Sequence, residues 1–211
     1  MELSGPRSDV VGVVIAGGRS VRFGAEKAAA MFCGEPLLIW AVRRLQRTCA
    51  AVAVNARLHT QAQALAQAGG LPVLHDEPGD ALGPLAGVKA GLRWARERGA
   101  RALAVSPCDV PRLPDDLFPR LIEAAGEGAA MAQTGQGRQP LCSLWPVSAL
   151  PQVVQALAGG NHPPTWRLLE QLGARAVHFN APECFQNINT PADLAALSQQ
   201  GLSKSGLSKQ P

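Results

Sequence analysis

Short apolar runs alternate with longer amphipathic segments along most of the chain. The runs V-V-G-V-V-I-A from Val10, A-V-A-V-N from Ala51 and R-A-L-A-V-S from Arg101 are short and apolar, which predicts buried strands. The run L-P-V-L-H-D from Leu71 predicts a further strand. Because Pro72 cannot donate a ladder hydrogen bond, this strand is expected to begin at the proline or to lie at a sheet edge.

The segments between these runs repeat apolar residues at helical spacing. Residues 84–98 place Leu85, Val88, Leu92 and Ala95 on one face, which predicts a helix that packs on a sheet. Similar patterns predict helices from Pro36, over residues 58–68, from Pro114, over residues 147–158 and 163–172, and from Thr190.

Beyond residue 126 the pattern predicts strands from Gly128, Leu141 and Ala174, the first two separated by the polar turn T-G-Q-G-R-Q. Strands that alternate with helices indicate parallel pairing with helices on both faces. The sequence therefore predicts an α/β fold, a Rossmann-like three-layer α/β/α sandwich with a mainly parallel sheet. A single domain is expected over residues 8–198. Residues 199–211, which nearly repeat G-L-S-K, are expected to form a disordered tail because they carry little apolar material.

Composition and charge indicate which kinds of partner and which compartment the protein is suited to. The net charge is +4 without a basic block, and tyrosine is absent, which suits an acidic small molecule and disfavours nucleic acid as a partner. The five cysteines form no C-x-x-C pair, so reduced thiols are expected rather than disulfides or a zinc site. The sequence has no signal-peptide segment and no apolar stretch of 18 residues, so we expect a cytoplasmic protein that does not bind membranes.

The segment I-A-G-G-R-S-V-R-F-G-A-E-K, residues 15–27, follows the first predicted strand. Backbone N–H groups made approachable by Gly17, Gly18 and Gly24 would form an anion-binding nest, to which Arg22 and Lys27 add the charge that a triphosphate needs. Alternatively, the glycines serve only a tight strand-to-helix turn. The spacing matches neither G-x-x-x-x-G-K-[ST] nor G-x-G-x-x-G, which disfavours a P-loop and a dinucleotide-binding loop.

Polar residues also follow the other predicted strands. Asn55, Asp76 and Asp109 stand at strand ends, where open parallel sheets bind ligands. Asp109 lies in the proline-stiffened segment S-P-C-D-V-P and is a candidate Mg²⁺ ligand, since Mg²⁺ takes one or two carboxylates and completes its shell with phosphate and water. The structural alternatives are a turn cap for Asp109, a similar structural role for Asp76, and a helix cap for Asn55. Cys108 is interpreted as a buried thiol rather than a nucleophile.

Four segments carry a family resemblance. The glycine loop is similar to the signature L-A-G-G-x-S-x-R-M-G-x-D-K of nucleotidyltransferases. It is followed in order by G-P-L-A-G from Gly83, P-C-D-V-P-R-L-P from Pro107 and N-I-N-T-P-A-D-L from Asn187. Together, over roughly residues 10–198, these segments resemble the molybdenum cofactor guanylyltransferases, which have the nucleotide-diphospho-sugar transferase fold.

The resemblance implies a set of site residues. The implied GTP-binding residues are Ile15, Ala16, Gly17, Gly18, Lys27, Asn55, Asp76 and Asp109. The predicted catalytic residues are Arg22, Lys27 and Asp109. The resemblance implies Lys27 as a phosphate contact and Asp109 as the Mg²⁺ ligand, whereas Arg22 is predicted from the positive charge of the loop. Asn187 and Asn189 would border the same cleft. Three positions depart from the signature: Ile15 replaces Leu, Phe23 replaces Met, and Glu26 replaces Asp and is assigned no role.

The implied activity is transfer of GMP from GTP to the terminal phosphate of molybdopterin, with Mg²⁺ as cofactor and with pyrophosphate as the second product. The implied partners include molybdoenzymes or their chaperones during cofactor hand-over. Arg138 and Arg167 are candidates for contacting the pterin phosphate, with solvated surface arginines as the alternative.

Two other functions stay open. One is a CTP-dependent relative acting on molybdopterin or on a sugar or alcohol phosphate, which the A-G-G and G-P-L-A-G segments disfavour. The other is a non-catalytic adaptor that binds nucleotide or cofactor.

Overall fold

The predicted apolar runs form the strands of a central sheet. The computed structural model describes residues 9–18, 23, 26–80 and 83–205. In chain order, the strands are β1 (Val10–Ile15), β2 (Met31–Phe32), β3 (Glu35–Pro36), β4 (Val52–Asn55), β5 (Val73–Leu74), β6 (Ala102–Pro107), β7 (Ala130–Thr134), β8 (Gly137–Pro146) and β9 (Arg175–Phe179). Seven of them form one sheet in the order β5-β4-β1-β6-β8-β7-β9.

Most neighbouring strands of this sheet run parallel, as the sequence predicted. β5, β4, β1 and β6 pair in parallel, and so do β7 and β9. β8 is antiparallel to both β6 and β7. Its direction is reversed because only residues 135 and 136 separate it from β7, and so short a connection can join only antiparallel strands. β5 is a two-residue edge strand that begins after Pro72, as expected.

Helices cover both faces of the sheet. The helices are α1 (Leu37–Gln46), α2 (Gln61–Ala68), α3 (Pro84–Glu97), α4 (Leu117–Ala125), α5 (Leu150–Leu157), α6 (Thr165–Gln171) and α7 (Pro191–Ser205). Alternate side chains of β1 enter two separate cores: Val10 and Val14 pack with α1, α2 and α4, whereas Val11 and Val13 pack with α3, α5 and α6. The predicted three-layer α/β/α sandwich is therefore confirmed.

A small hairpin and the last helix form a third apolar cluster, which the sequence did not predict. β2 and β3 are joined by a tight turn in which Cys33 and Gly34 have φ values of 48° and 85°. Phe32 of this hairpin packs with Leu37, Ile188 and Leu197. The cluster thus fixes the segment that precedes α7 beside the start of α1.

Helix α7 extends past the predicted end of the domain at residue 198. Residues 199–205 are helical where the sequence predicted a disordered tail, because a helix that is anchored in its first turns propagates at little further cost. Residues 206–211 lie outside the described residues. Among the described residues, none of the helices combines the length and the apolarity that crossing a membrane requires.

Candidate active site

A cleft of about 680 Å³ opens at the carboxyl ends of β1, β4, β5 and β6. This position includes the junction of β1 and β6, where the chain switches from one side of the sheet to the other and ligands of such folds bind. Eight of the nine predicted site residues line the cleft: Ile15, Ala16, Gly17, Gly18, Lys27, Asn55, Asp76 and Asp109. The ninth, Arg22, lies outside the described residues, so its role stays a prediction.

Lys27 and Asp109 meet at one end of the cleft. The Lys27 ammonium donates to Asp109 Oδ2 at 3.2 Å and to Asn189 Oδ1 at 2.8 Å. The side chains of Lys27 and Asp109 are 15% and 21% exposed, so both groups reach the cleft while most of each is covered. Asn189 belongs to the N-I-N-T-P segment, which was expected to border the site. A cation, a carboxylate and an amide oxygen thus converge on a small volume.

The segment that carries Asp109 is held from two sides. The Ile188 N–H donates to the Asp109 carbonyl at 2.8 Å, which ties the segment to the chain that leads into α7. From α1, the Arg44 guanidinium donates to the carbonyls of Leu113 and Pro111. Burial lowers the pKa of Arg44, and the nearby Asp115 carboxylate opposes this shift. These contacts fix the backbone on which Asp109 stands.

The turn before α7 is held by hydrogen bonds to Asp193, an acid in the first turn of that helix. The Asp193 carboxylate accepts from the Asn189 and Thr190 backbone N–H groups at 2.9 and 2.8 Å. These hydrogen bonds keep the pKa of Asp193 below its usual value. The Asn189 side chain therefore points at Lys27 from a capped helix start rather than from a loose loop.

Asn55 and Asp76 form a second polar centre in the cleft. The Asn55 amide donates to Asp76 Oδ1 at 2.9 Å and to the Leu74 carbonyl at 3.3 Å. Asn55 is only 2% exposed, so it connects the ends of β4 and β5 and orients the Asp76 carboxylate. Its oxygen faces α3, where a Cβ atom on Gly87 would lie 2.4 Å from it. Gly87, in the G-P-L-A-G segment, is therefore required by the close approach of helix and amide.

Several residues that line the cleft were missed by the sequence analysis. Arg57, Leu58, His75, Glu77 and Asp80 all contribute to its wall. Arg57 could have been found from its position two residues after Asn55, in the loop that follows a strand. The acids could have been found from their spacing after Asp76, because strand-end loops carry the ligand contacts of such sheets.

A buried lysine holds this acidic wall in place. Lys89, on α3, is 5% exposed and pairs with Asp80 and with Glu77, the latter at 3.1 Å. Arg93, one turn further along α3, also pairs with Glu77. Because both acids have cationic partners, the loop that carries Asp76 is electrically compensated.

The two arginines considered for the pterin phosphate lie in a cluster of their own. The Arg138 guanidinium stacks over the Trp166 ring at 4.7 Å and pairs with Glu170. Arg167 lies 6.0 Å from the same ring. These contacts match the alternative of surface arginines, and neither side chain lines the cleft described above.

Cys108, beside Asp109, is a poor nucleophile. The side chain is buried, and burial raises the pKa of its thiol far above the usual value. The same cause raises the pKa of Cys49 to about 12. This agrees with the interpretation of Cys108 as a strand-end thiol.

Comparison with solved structures defines the fold. A molybdopterin-guanine dinucleotide biosynthesis protein A from Archaeoglobus fulgidus superposes with a TM-score of 0.70 at 24% identity, covering 92% of this chain and 99% of that chain. A 4-diphosphocytidyl-2C-methyl-D-erythritol synthase from Anaerococcus prevotii superposes with a TM-score of 0.72 at 12% identity, covering 92% and 96%. Both share the nucleotide-diphospho-sugar transferase fold.

The family model described as a MobA-like NTP transferase domain matches residues 12–177. This family match makes the chain a nucleotidyltransferase, and the fold and the cleft agree with it. Proteins named molybdenum cofactor guanylyltransferase are 41% identical in Cereibacter sphaeroides and 40% identical in Rhodobacter capsulatus, over 187 and 190 residues. These alignments cover 87% and 88% of this chain and 93% of each relative. The chain belongs to the molybdenum cofactor guanylyltransferase family, and the resemblance noted in its sequence is confirmed.

Proposed function

We propose that the protein transfers GMP from GTP to the terminal phosphate of molybdopterin and releases pyrophosphate. The observation that carries this proposal is the meeting of Lys27, Asp109 and Asn189 at 2.8–3.2 Å beside the glycine loop. The names of the relatives support guanine as the base and molybdopterin as the acceptor.

The chemistry requires charge control more than proton transfer. An ionised acceptor phosphate attacks the α-phosphorus of GTP, a new phosphoanhydride bond forms, and the bond to the β-phosphate breaks with its electron pair going to pyrophosphate. Because the nucleophile is already an anion, no general base is needed, and the protein aligns two anions and stabilises the transition state. Lys27 would bind the departing pyrophosphate with its ammonium group.

The glycine loop suits close contact with phosphates. A Cβ atom on Gly18 would meet no atom within 4 Å, so the backbone faces open space in the cleft rather than packed protein. We propose that the backbone at Gly17 and Gly18 contacts the phosphates and that Arg22 adds a second positive charge.

The donor set around Asp109 fits Mg²⁺. Among the described residues, His, Cys, Asp and Glu side chains form no group of three or more that could hold a metal. A single carboxylate with oxygen donors from a triphosphate and water is a typical Mg²⁺ environment, and the Asn189 amide oxygen lies on the same side of the cleft. We propose that Asp109 holds the ion, which when bound would neutralise phosphate oxygens.

Nucleotide preference tests the proposal directly. We expect Mg²⁺-dependent pyrophosphate release from GTP in the presence of molybdopterin, and at least roughly 10²-fold less from CTP or ATP. Guanine, adenine and cytosine each offer a different pattern of hydrogen-bond donors and acceptors to the Asn55 and Asp76 wall. A coupled phosphate assay with the three nucleotides in parallel measures this. Faster release from CTP than from GTP would show that the protein is a cytidylyltransferase. No release with any nucleotide, despite tight GTP binding, would favour the non-catalytic adaptor.

Gly87→Ala tests the Asn55 centre. The added methyl group would displace the Asn55 amide and break its contact with Asp76, so we expect the KM for GTP to rise roughly 10-fold, the loss expected for a hydrogen bond to a charged group. Gly91→Ala is the matched control, since its Cβ would lie 2.8 Å from Leu103 Cδ2, one turn further along α3. Both variants should lose stability, but only Gly87→Ala should change the KM. Equal KM values would remove Asn55 from the nucleotide site.

We further propose that the cofactor is passed to molybdoenzymes or their chaperones in the cytoplasm. The support is the family membership together with the cysteines, all five of which are free in the structure. Binding assays between the purified protein and a molybdoenzyme, with and without the bound dinucleotide, would test the hand-over.

A further inference from the structure

Glu26, which the sequence analysis left without a role, makes two short contacts across the molecule. Its carboxylate accepts from the Gln61 N–H at 2.6 Å and from the Ala62 N–H at 2.9 Å. These are the first two amides of α2. They have no acceptor within the helix, so a carboxylate there is favoured by both hydrogen bonding and the helix dipole.

Thr60 caps the same helix in a different way. Its hydroxyl accepts from the Gln63 N–H at 3.3 Å, which is the usual contact of an N-cap residue. The two side chains therefore share the amides at the start of α2. They differ in what else they hold: Thr60 is continuous with the helix, whereas Glu26 is 35 residues away at the end of the glycine loop.

The chain after Glu26 is short and tightly folded. Lys27–Ala29 form a single 3-10 turn, closed by the Ala29 N–H bonding the Glu26 carbonyl at 3.1 Å and the Ala30 N–H bonding the Lys27 carbonyl at 3.0 Å. Ala28 is 2% exposed and belongs to the same apolar core as Ala62 of α2. The turn is thus fixed to α2 by one carboxylate and one buried methyl group.

The Lys27 side chain extends from this turn away from α2 and towards the cleft. While Glu26 contacts α2, the ammonium of the next residue contacts Asp109 and Asn189. A shift of this turn would move the Lys27 ammonium relative to Asp109, because Lys27 is the first residue of the turn and Glu26, which precedes it, is bonded to α2.

We propose that Glu26 is a positioning residue that sets the place of the Lys27 ammonium by anchoring its turn to α2. This role rests on the proposed function of Lys27 in phosphate binding. It also accounts for an acid directly before the lysine, where a negative charge would otherwise oppose the binding of a triphosphate: both carboxylate oxygens are already bonded to amides.

Glu26→Ala and Thr60→Ala form a matched pair of variants. Each removes capping from α2, so each should lower the Tm by about 2–4 °C. Only Glu26→Ala releases the turn that carries Lys27, so it should lower the kcat for pyrophosphate release from GTP roughly 10-fold or more, as small misplacements of catalytic groups do. Thr60→Ala should keep kcat within about twofold. Glu26→Gln, which keeps an oxygen acceptor, should recover part of the loss.

A double-mutant cycle separates positioning from general stability. If Glu26 acts through Lys27, Glu26→Ala should have less than about a twofold effect on kcat in a Lys27→Ala background. An undiminished effect in that background, or an equal loss of kcat in Thr60→Ala, would overturn the proposal.

A spectroscopic measurement keeps the test independent of turnover. The chain has four lysines, so the Cε resonance of Lys27 can be assigned by comparison with Lys27→Ala. Glu26→Ala should move this resonance, and Thr60→Ala should leave it in place. An unmoved resonance in an active enzyme would refute the positioning role alone. A moved resonance in a protein that releases no pyrophosphate from GTP would refute the proposed function and leave the positioning of Lys27 standing.

Discussion

Asp109→Ala is expected to lower Mg²⁺-dependent pyrophosphate release by about 10³-fold or more, since a metal ion contributes several kcal/mol of transition-state stabilisation. In the structure, this carboxylate lies at the end of β6, 3.2 Å from the Lys27 ammonium. Removing it would take away the proposed Mg²⁺ ligand and the partner of the lysine together. Steady-state assays with GTP over a range of Mg²⁺ concentrations measure the loss.

The control for this variant is Asp116→Asn. Asp116 lies seven residues after Asp109, directly before α4. Its carboxylate is half exposed and contacts only Arg120 at 3.5 Å among the ion pairs of the described residues. Its removal should change the rate by less than about twofold, as exposed pairs contribute little. Full activity of Asp109→Ala at ordinary Mg²⁺ concentrations would sink the metal assignment.

Lys27→Ala is expected to lower kcat by about 10²-fold or more, the effect of removing one electrostatic stabiliser from a phosphate site. The variant also leaves Asp109 without its cation, so the carboxylate would repel a triphosphate that arrives without Mg²⁺. For this reason we also expect a higher KM for GTP. Initial-rate measurements at several GTP concentrations separate the two effects.

Arg43→Ala serves as the control for a lost surface cation. Arg43 is 60% exposed on α1 and pairs with Glu35, away from the cleft. Arg43→Ala should leave kcat and KM unchanged within about twofold, because an exposed ion pair is screened by solvent and contributes little. An unchanged rate in Lys27→Ala would show instead that this lysine lies outside the reacting centre.

The local pattern of the chain was sufficient to predict the layers of the fold. The spacing of apolar residues shows which face of a segment can be buried. The apolar run from Val10 therefore predicted a buried strand, and the spacing of Leu85, Val88 and Leu92 predicted a helix packed on the sheet. The strand-end rule then predicted that Asn55, Asp76 and Asp109 would share a crevice, and all three line it.

What could not be predicted depends on contacts between distant residues. The reversed direction of β8 follows from the hairpin at residues 135 and 136, whereas its apolar run L-C-S-L-W would suit either direction. Glu26 was set aside as a departure from a signature because nothing in its neighbourhood in the sequence indicates α2, which begins 35 residues later.

The contact between Lys27 and Asn189 spans 162 positions, and this separation sets an order of events during synthesis. The glycine loop leaves the ribosome early, and β9, the last strand of the sheet, is complete at Phe179. At that stage the strands whose ends form the cleft have all been synthesised. The Lys27 ammonium still lacks the Asn189 side chain as an acceptor, and the Asp109 carbonyl still lacks the Ile188 N–H as a donor. Because domains fold as units, the nascent chain is expected to acquire a competent phosphate site only in its last stage of synthesis. A polypeptide released before residue 188 would lack the Lys27–Asn189 and Asp109–Ile188 contacts, so it is expected to release pyrophosphate from GTP far more slowly than the full chain.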